Sequence, residues 1–283
     1  MAEQKKTILI TGCSSGIGLR CAEIMQERGW RVFATARRVE DVTILIEHGF
    51  ESVQLDLDRS ESIHSALDFV LQRTGGTLDG LFNNGAYGQP GAVEDLSRDN
   101  LRKQFETNLF GTAELTNAII PVMRKQGHGR IVFNSSVLGF VVMPYRGAYN
   151  ASKFALEGLA DTMRLELKDS GIFISLIQPG PIESSFRKNA YLAFKQNINP
   201  ENSYHKANYE AMERRLKKPG PAAPFTLPAD AVADKLIHAL ESRQPKTRYP
   251  VTFPTHLFAL LRRILPDRWL DYMLIRASGD GAR

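Results

Sequence analysis

Short apolar runs alternate with amphipathic stretches along most of this chain. Thr7-Ile8-Leu9-Ile10 is a compact apolar run ending at Thr11-Gly12, the pattern of a strand buried on both faces. Ile17, Cys21, Ile24 and Met25 then recur at helical spacing, and Gly29 ends that helix. Val32-Phe33-Ala34 predicts a second strand, 41–48 a helix, and Ser52-Val53-Gln54-Leu55 a third strand. A helix over 60–74 follows, with Ser60 as its expected N-cap. Strands are expected at 78–82, 130–134 and 172–177, separated by two helical stretches within 101–126 and a long amphipathic helix over 148–169. This repeated alternation implies right-handed crossovers and a doubly wound α/β fold, a Rossmann-type parallel sheet of about seven strands with helices on both faces.

The pattern weakens after Pro181. Residues 182–227 are polar and dotted with aromatics, among them Tyr191, Phe194, Tyr204, Tyr209 and Phe225, and are expected to form a helical insert over the substrate side. Residues 229–240 return to helical periodicity, 248–251 fit an edge strand, and 255–275 fit two short helices broken at Pro266. One domain over 1–283 is expected: a cofactor-binding and catalytic core at 5–181, a lid at 182–227, and C-terminal helices with an edge strand at 228–283.

Composition narrows the setting. A formal charge of +5 is mildly basic, with no dense basic run interleaved with aromatics, so no nucleic-acid partner is expected. The two cysteines, Cys13 and Cys21, form neither a disulfide framework nor a metal site, so a reducing, cytoplasmic location and no metal are expected. No apolar stretch is long enough to span a bilayer. No membrane partner is expected, although Leu257, Leu260, Leu261 and Leu265 beside Arg262, Arg263 and Arg268 leave peripheral contact open.

Two clusters carry chemistry. Thr11 to Gly18 reads Thr-Gly-Cys-Ser-Ser-Gly-Ile-Gly between a strand and a helix. Glycines at 12, 16 and 18 allow a tight turn and close approach to a pyrophosphate, the helix N-terminus offers free N–H groups, and Ser14 and Ser15 add hydroxyls. Further on, Tyr149 and Lys153 stand one helical turn apart, with Ser136 upstream on a loop after a strand. A tyrosine, with a pKa near 10 when free, becomes a useful acid–base at neutral pH if a nearby ammonium favours its phenolate. At the end of the second strand, Ala36 stands where an acid would bind a ribose 2′-OH, and Arg37 and Arg38 follow. Guanidinium groups there favour a 2′-phosphate, which predicts NADP(H), with Arg37 as the main contact and Arg38 as support.

The Gly-x-x-x-Gly-x-Gly spacing resembles that of the short-chain dehydrogenase/reductase family. The resemblance covers residue 7 to about residue 185 well and extends more loosely to 251. Its other marks occur in order: Asp56, Asn83-Asn84-Gly85-Ala86, Asn108, Ser136, Tyr149-x-x-x-Lys153 and Pro179-Gly180. The family usually reads Asn-Asn-Ala-Gly after strand four, and here the last two residues are exchanged. The resemblance implies cofactor contacts from Gly12, Ser14, Ser15, Gly16, Ile17, Gly18, Arg37, Arg38, Asp56, Leu57, Asn84, Gly85, Ala86, Tyr149, Lys153, Pro179, Gly180 and Ile182, with Ser184 as a further candidate. It implies that Tyr149 moves the proton, Lys153 lowers its pKa and holds the nicotinamide ribose, Ser136 fixes the substrate oxygen, and Asn108 holds a water linking Lys153 to solvent. The expected activity is reduction of aldehydes or ketones on medium-sized apolar substrates, by a homodimer or homotetramer. The softer likeness is to bacterial NADP-dependent aldehyde reductases and to retinol and hydroxysteroid dehydrogenases. Oxidation of steroid-like or retinoid-like alcohols, or cofactor sensing without catalysis, are the alternatives.

Overall fold

The computed structural model describes residues 5–221 and 223–279. Its centre is a parallel sheet of seven strands: β1 (Thr7–Ile10), β2 (Arg31–Ala36), β3 (Glu51–Gln54), β4 (Gly80–Asn83), β5 (Gly129–Asn134), β6 (Ile172–Gln178) and β7 (Arg248–Pro250). Their order is β3-β2-β1-β4-β5-β6-β7, and every adjacent pair is parallel. The order reverses between β1 and β4. Crossovers leave on opposite faces there and open a crevice at the C-terminal strand ends.

Alternation along β1 separates two apolar cores. Ile8 and Ile10 pack with α1 (Gly16–Glu27), α2 (Val39–Glu47) and α9 (Asp230–Glu241) on one face. Leu9 faces the other way, into side chains from α3 (Ser60–Thr74), α5 (Gly111–Gln126) and α6 (Gly147–Glu166). Both sheet faces are therefore sealed, which is why these strands read as continuous apolar runs. Each fully buried Leu, Ile or Phe contributes roughly 1.5–3 kcal/mol.

One local expectation is corrected. Arg59, not Ser60, stands at the N-cap position of α3 and makes no side-chain capping bond; Ser60 is the first helical residue, and its hydroxyl donates to Glu114 Oε2 on α5 at 2.9 Å. Being inside the helix, the Ser60 hydroxyl serves as a donor to a neighbouring helix rather than as an acceptor for the first-turn N–H groups. The two helical stretches expected in 101–126 are both present and continuous. The helix α4 (Arg98–Phe105) runs through a π-turn at Glu106–Phe110 directly into α5. Such turns insert an extra residue and commonly sit at functional sites; this one carries Asn108.

The segment after β6 forms α7 (Phe186–Asn197) and α8 (Lys206–Lys217). Ala190 and Phe194 meet Tyr209, Met212 and Leu216, and this small core rests on Ala148 at the start of α6. Its two ends are joined where Glu183 N donates to Leu227 O and Leu227 N to Pro181 O. Beyond β7, α10 (Phe253–Ile264) and α11 (Asp267–Ser278) place Phe258 and Leu274 against Val137, Leu138 and Val141. No helix among the described residues is long and apolar enough to cross a membrane.

Candidate active site

The turn after β1 is shaped by glycines that no other residue can replace. Gly12 and Gly16 hold φ of +71° and +60°. A Cβ on Gly18 would stand 2.3 Å from Gly12 O and 2.6 Å from Asn84 Nδ2. The helix that follows begins at Ser15 with no side-chain cap and no acidic residue in its first turn. Its N–H groups and positive dipole end are thus left for an anion. Ser184 closes the turn from the far side, with its Cβ 2.9 Å from where a Gly16 Cβ would be. The cradle fits a nucleotide pyrophosphate.

Three side chains hold this cradle to the strands beside it, and the sequence reading singles out only Asn84 among them. Thr11 Oγ1 accepts from Asn84 N at 2.9 Å and from Gly85 N at 2.8 Å. Asn84 Nδ2 donates to Thr11 O at 2.9 Å, and Asn134 Nδ2 donates to Asn84 Oδ1 at 2.9 Å. The exchanged Gly85-Ala86 pair keeps this contact, since a Cβ on Gly85 would meet Leu57 Cδ1 at 3.1 Å. Leu57 itself is buried, and Asp56 Oδ1 accepts from Asp58 N at 3.1 Å at the end of β3.

Arg37 and Arg38 follow β2, and both are exposed. They are not equivalent. Arg38 is held by Asp41, with Nε and Nη2 each 2.9 Å from a carboxylate oxygen. The guanidinium of Arg37 makes no hydrogen bond or ion pair among the described residues, while its carbonyl accepts from Gln54 Nε2 at 2.9 Å. One charge is committed; the other is presented on a fixed backbone.

The second cluster lies across the crevice. Ser136 follows β5 and Tyr149 and Lys153 lie in the first turns of α6. The Ser136 hydroxyl oxygen accepts from Leu138 N at 3.1 Å, and the hydroxyl lies near enough to the Tyr149 phenol to favour its ionised form. Lys153 is buried and donates to Asn134 O at 2.7 Å, with Nζ 5.7 Å from the centre of the Tyr149 ring. Asn108 Nδ2 donates to Tyr87 O at 2.9 Å and Ser152 Oγ at 3.1 Å, while Oδ1 accepts from Tyr87 N at 3.1 Å. Its amide thus ties the loop after β4 to α6. Pro179 O accepts from Val137 N at 2.8 Å, and a Cβ on Gly180 would strike Thr252 Oγ1. Ile182 pairs with Leu227 at the base of the α7–α8 segment.

The electrostatics differ from expectation. Burial pushes the Tyr149 phenol up to about 12, opposed by the nearby Ser136 hydroxyl rather than by Lys153. Burial also pushes Lys153 down to about 8, opposed by Glu157. Desolvation penalises both charged forms, and the ammonium is turned toward Asn134 O, so it does not depress the phenol here.

Phe186, at the start of α7, covers this cluster. Its ring lies 5.2 Å from that of Tyr149 at an interplanar angle of 63°. Gly88 makes room for it, since a Cβ there would stand 2.7 Å from Phe186 Cζ. No spacing rule pairs residues 149 and 186; only the folded α7 segment brings them together.

Comparison with known proteins agrees with this arrangement. The short chain dehydrogenase family model matches residues 6–193. The uncharacterized oxidoreductase YbbO of Escherichia coli K12 is 43% identical over 270 residues, covering 95% of this chain and 94% of its own. The 17-beta-hydroxysteroid dehydrogenase type 6 of Mus musculus is 31% identical over 99% of this chain and 91% of its own. A crystal structure of an actinorhodin polyketide ketoreductase variant with NADPH superposes with a TM-score of 0.73 at 26% identity, covering 89% of this chain and 97% of that one. The glycine cradle at the sheet's switch point, the Ser136–Tyr149–Lys153 cluster facing it, and these likenesses place the chain in the short-chain dehydrogenase family of oxidoreductases.

Proposed function

We propose that this protein is an NADP(H)-dependent reductase of aldehydes or ketones on medium-sized apolar substrates. The observation that carries the reading is the convergence of Ser136 and Tyr149 beside buried Lys153, across the crevice from the glycine cradle. The preference for NADP(H) is supported by Arg37, whose guanidinium follows β2 and makes no hydrogen bond or ion pair among the described residues, and by Ala36 where an acid would repel a 2′-phosphate. The nicotinamide, when bound, supplies or accepts hydride.

The protein's own residues do the rest. Ser136 donates to the substrate oxygen and fixes its position. Tyr149 delivers its phenolic proton to that oxygen in reduction and removes it in oxidation. A phenol held near 12 is fully protonated at neutral pH, so the resting site is set for reduction. Lys153 is already cationic at neutral pH and acts on the phenol once its ammonium turns from Asn134 O. Phe186 gives the substrate an apolar wall above Tyr149 and excludes water.

NADPH and NADH consumption with a panel of aliphatic and aromatic aldehydes and ketones tests this reading. Turnover with NADPH and little with NADH supports it. Comparable use of NADH removes the Arg37 argument, and NADPH binding without turnover across the panel favours a sensing protein.

A further inference from the structure

The last two helices are amphipathic in an unusual way: each has an apolar stripe facing outward. On α10, Phe258 and Thr255 are buried, and Arg262 donates to Phe140 O and lies over the Phe154 ring. These contacts fix the helix against the loop that carries Ser136. The opposite side presents Phe253, Leu260 and Ile264, spaced i, i+7 and i+11. On α11, Leu274 and Ser278 face inward, while Trp269, Tyr272 and Ile275 face out at i, i+3 and i+6. All six outward side chains are between 45% and 66% exposed. Phe225, at the end of the α7–α8 segment, holds φ of +60° and rests its exposed ring 5.1 Å from that of Phe253, extending the stripe toward the substrate lid.

The charges beside this surface are mostly basic. Arg262, Arg263, Arg268 and Arg276 stand against Asp267 and Asp271. Arg263 and Arg268 make no hydrogen bond or ion pair among the described residues, and Arg276 donates to Tyr272 Oη at 2.9 Å. By helical spacing, Arg268 and Arg276 share the outward face of α11 with Trp269 and Tyr272, whereas Asp267 and Asp271, seven residues before Leu274 and Ser278, lie on the side turned away from it. Apolar and indole side chains framed by arginines whose stems can lie along them suit the boundary between acyl chains and anionic headgroups. A two-fold contact with a second copy would instead set the same arginines against one another.

We propose that the outer face of α10 and α11, with Phe225 at its margin, docks the protein on an anionic phospholipid surface. The docking is peripheral, and it sets the lid and the mouth of the crevice against the bilayer.

Vesicle flotation of the full-length protein tests this. Vesicles of phosphatidylcholine alone are compared with vesicles containing about 30% phosphatidylglycerol, at about 0.1 M and 0.5 M salt. Of the two tryptophans, Trp30 is buried, so quenching of fluorescence by brominated lipid reports on Trp269. Flotation with anionic vesicles, weakened by salt and accompanied by quenching, is expected. The double variant Arg263→Glu/Arg268→Glu lowers the partition coefficient by about tenfold or more. Leu260→Glu/Ile264→Glu abolishes flotation with an unchanged unfolding midpoint, because both side chains are already in solvent. Failure of the wild-type protein to float at low salt, with unquenched Trp269, overturns the proposal. So does a concentration-dependent dimer that Leu260→Glu/Ile264→Glu dissolves while vesicles bind neither protein. If a variant fails to fold, the wild-type quenching result decides alone.

Discussion

Replacing Arg37 with alanine isolates one charge. The Arg37 backbone is fixed by the Gln54 amide bonding its carbonyl, and its guanidinium contributes no hydrogen bond or ion pair among the described residues. Alanine should therefore leave stability within about 0.5 kcal/mol of the wild type. What is removed is the ability to make charge-assisted hydrogen bonds to a ribose 2′-phosphate, each worth about 1.5–3 kcal/mol. That range corresponds to roughly 10- to 150-fold weaker NADPH binding, with the lower end favoured because the site is exposed and screened. NADH carries no phosphate there, so its dissociation constant should stay within about twofold. Arg38→Ala should cost less, since that fork already holds Asp41 at 2.9 Å through both nitrogens. Calorimetric or fluorescence titration of both cofactors against wild type, Arg37→Ala and Arg38→Ala measures this. Equal losses for NADPH and NADH, or unchanged NADPH affinity in Arg37→Ala, would refute the phosphate-recognition argument.

Tyr149→Phe should abolish carbonyl turnover while cofactor affinity, read by titration, stays nearly unchanged; retained turnover would remove Tyr149 as the proton donor. Gly18→Ala forces a methyl to 2.3 Å from Gly12 O, and overpacking of that kind should cost about 1–3 kcal/mol in urea denaturation and weaken both cofactors together. Lys153 is charged below about pH 8, so turnover should fall as pH rises through that value. Between about 8 and the ordinary lysine value of 10.5 the unfolded chain holds the extra proton, so stability should rise with pH across that window. Lys153→Met should abolish turnover yet raise stability by roughly 1–3 kcal/mol, because it removes a buried charge; Glu157 would stay satisfied by Gln178 and Arg248 at 2.9 and 3.0 Å. A destabilised Lys153→Met protein would show that the ammonium is structurally required.

Much of this was legible in the chain because the governing interactions are local or periodic. Two-sided burial writes the strands as apolar runs, and Gly12, Gly16 and Gly18 declare a turn that side chains cannot enter. Tyr149 and Lys153 share a helix, so their spacing alone puts them together. What the sequence hid depends on distant partners. Ser60 lies one residue inside the helix and spends its O–H on a carboxylate 54 positions away on α5. The π-turn around Asn108 has the same apolar pattern as an ordinary helix. The Tyr209, Met212 and Leu216 stripe of α8 is only one residue wide, so among charged neighbours its i, i+3, i+7 spacing was faint. The direction of the Tyr149 shift also required the folded molecule, because burial depends on what Phe186 and its neighbours cover.

The Asn84 amide has a further consequence. Gly12 O, the Asn84 side chain, the Asn134 side chain and carbonyl, and Lys153 Nζ form an unbroken relay of contacts of 2.7–3.2 Å. The glycine turn and the proposed acid–base cluster are thus one mechanical unit, held in mutual register by two neutral side chains. Redesign of this protein is correspondingly uneven. Arg37 stands outside the relay, so cofactor choice can be altered without disturbing Lys153, whereas any repair or enlargement of the glycine turn must be solved together with the proton-transfer machinery.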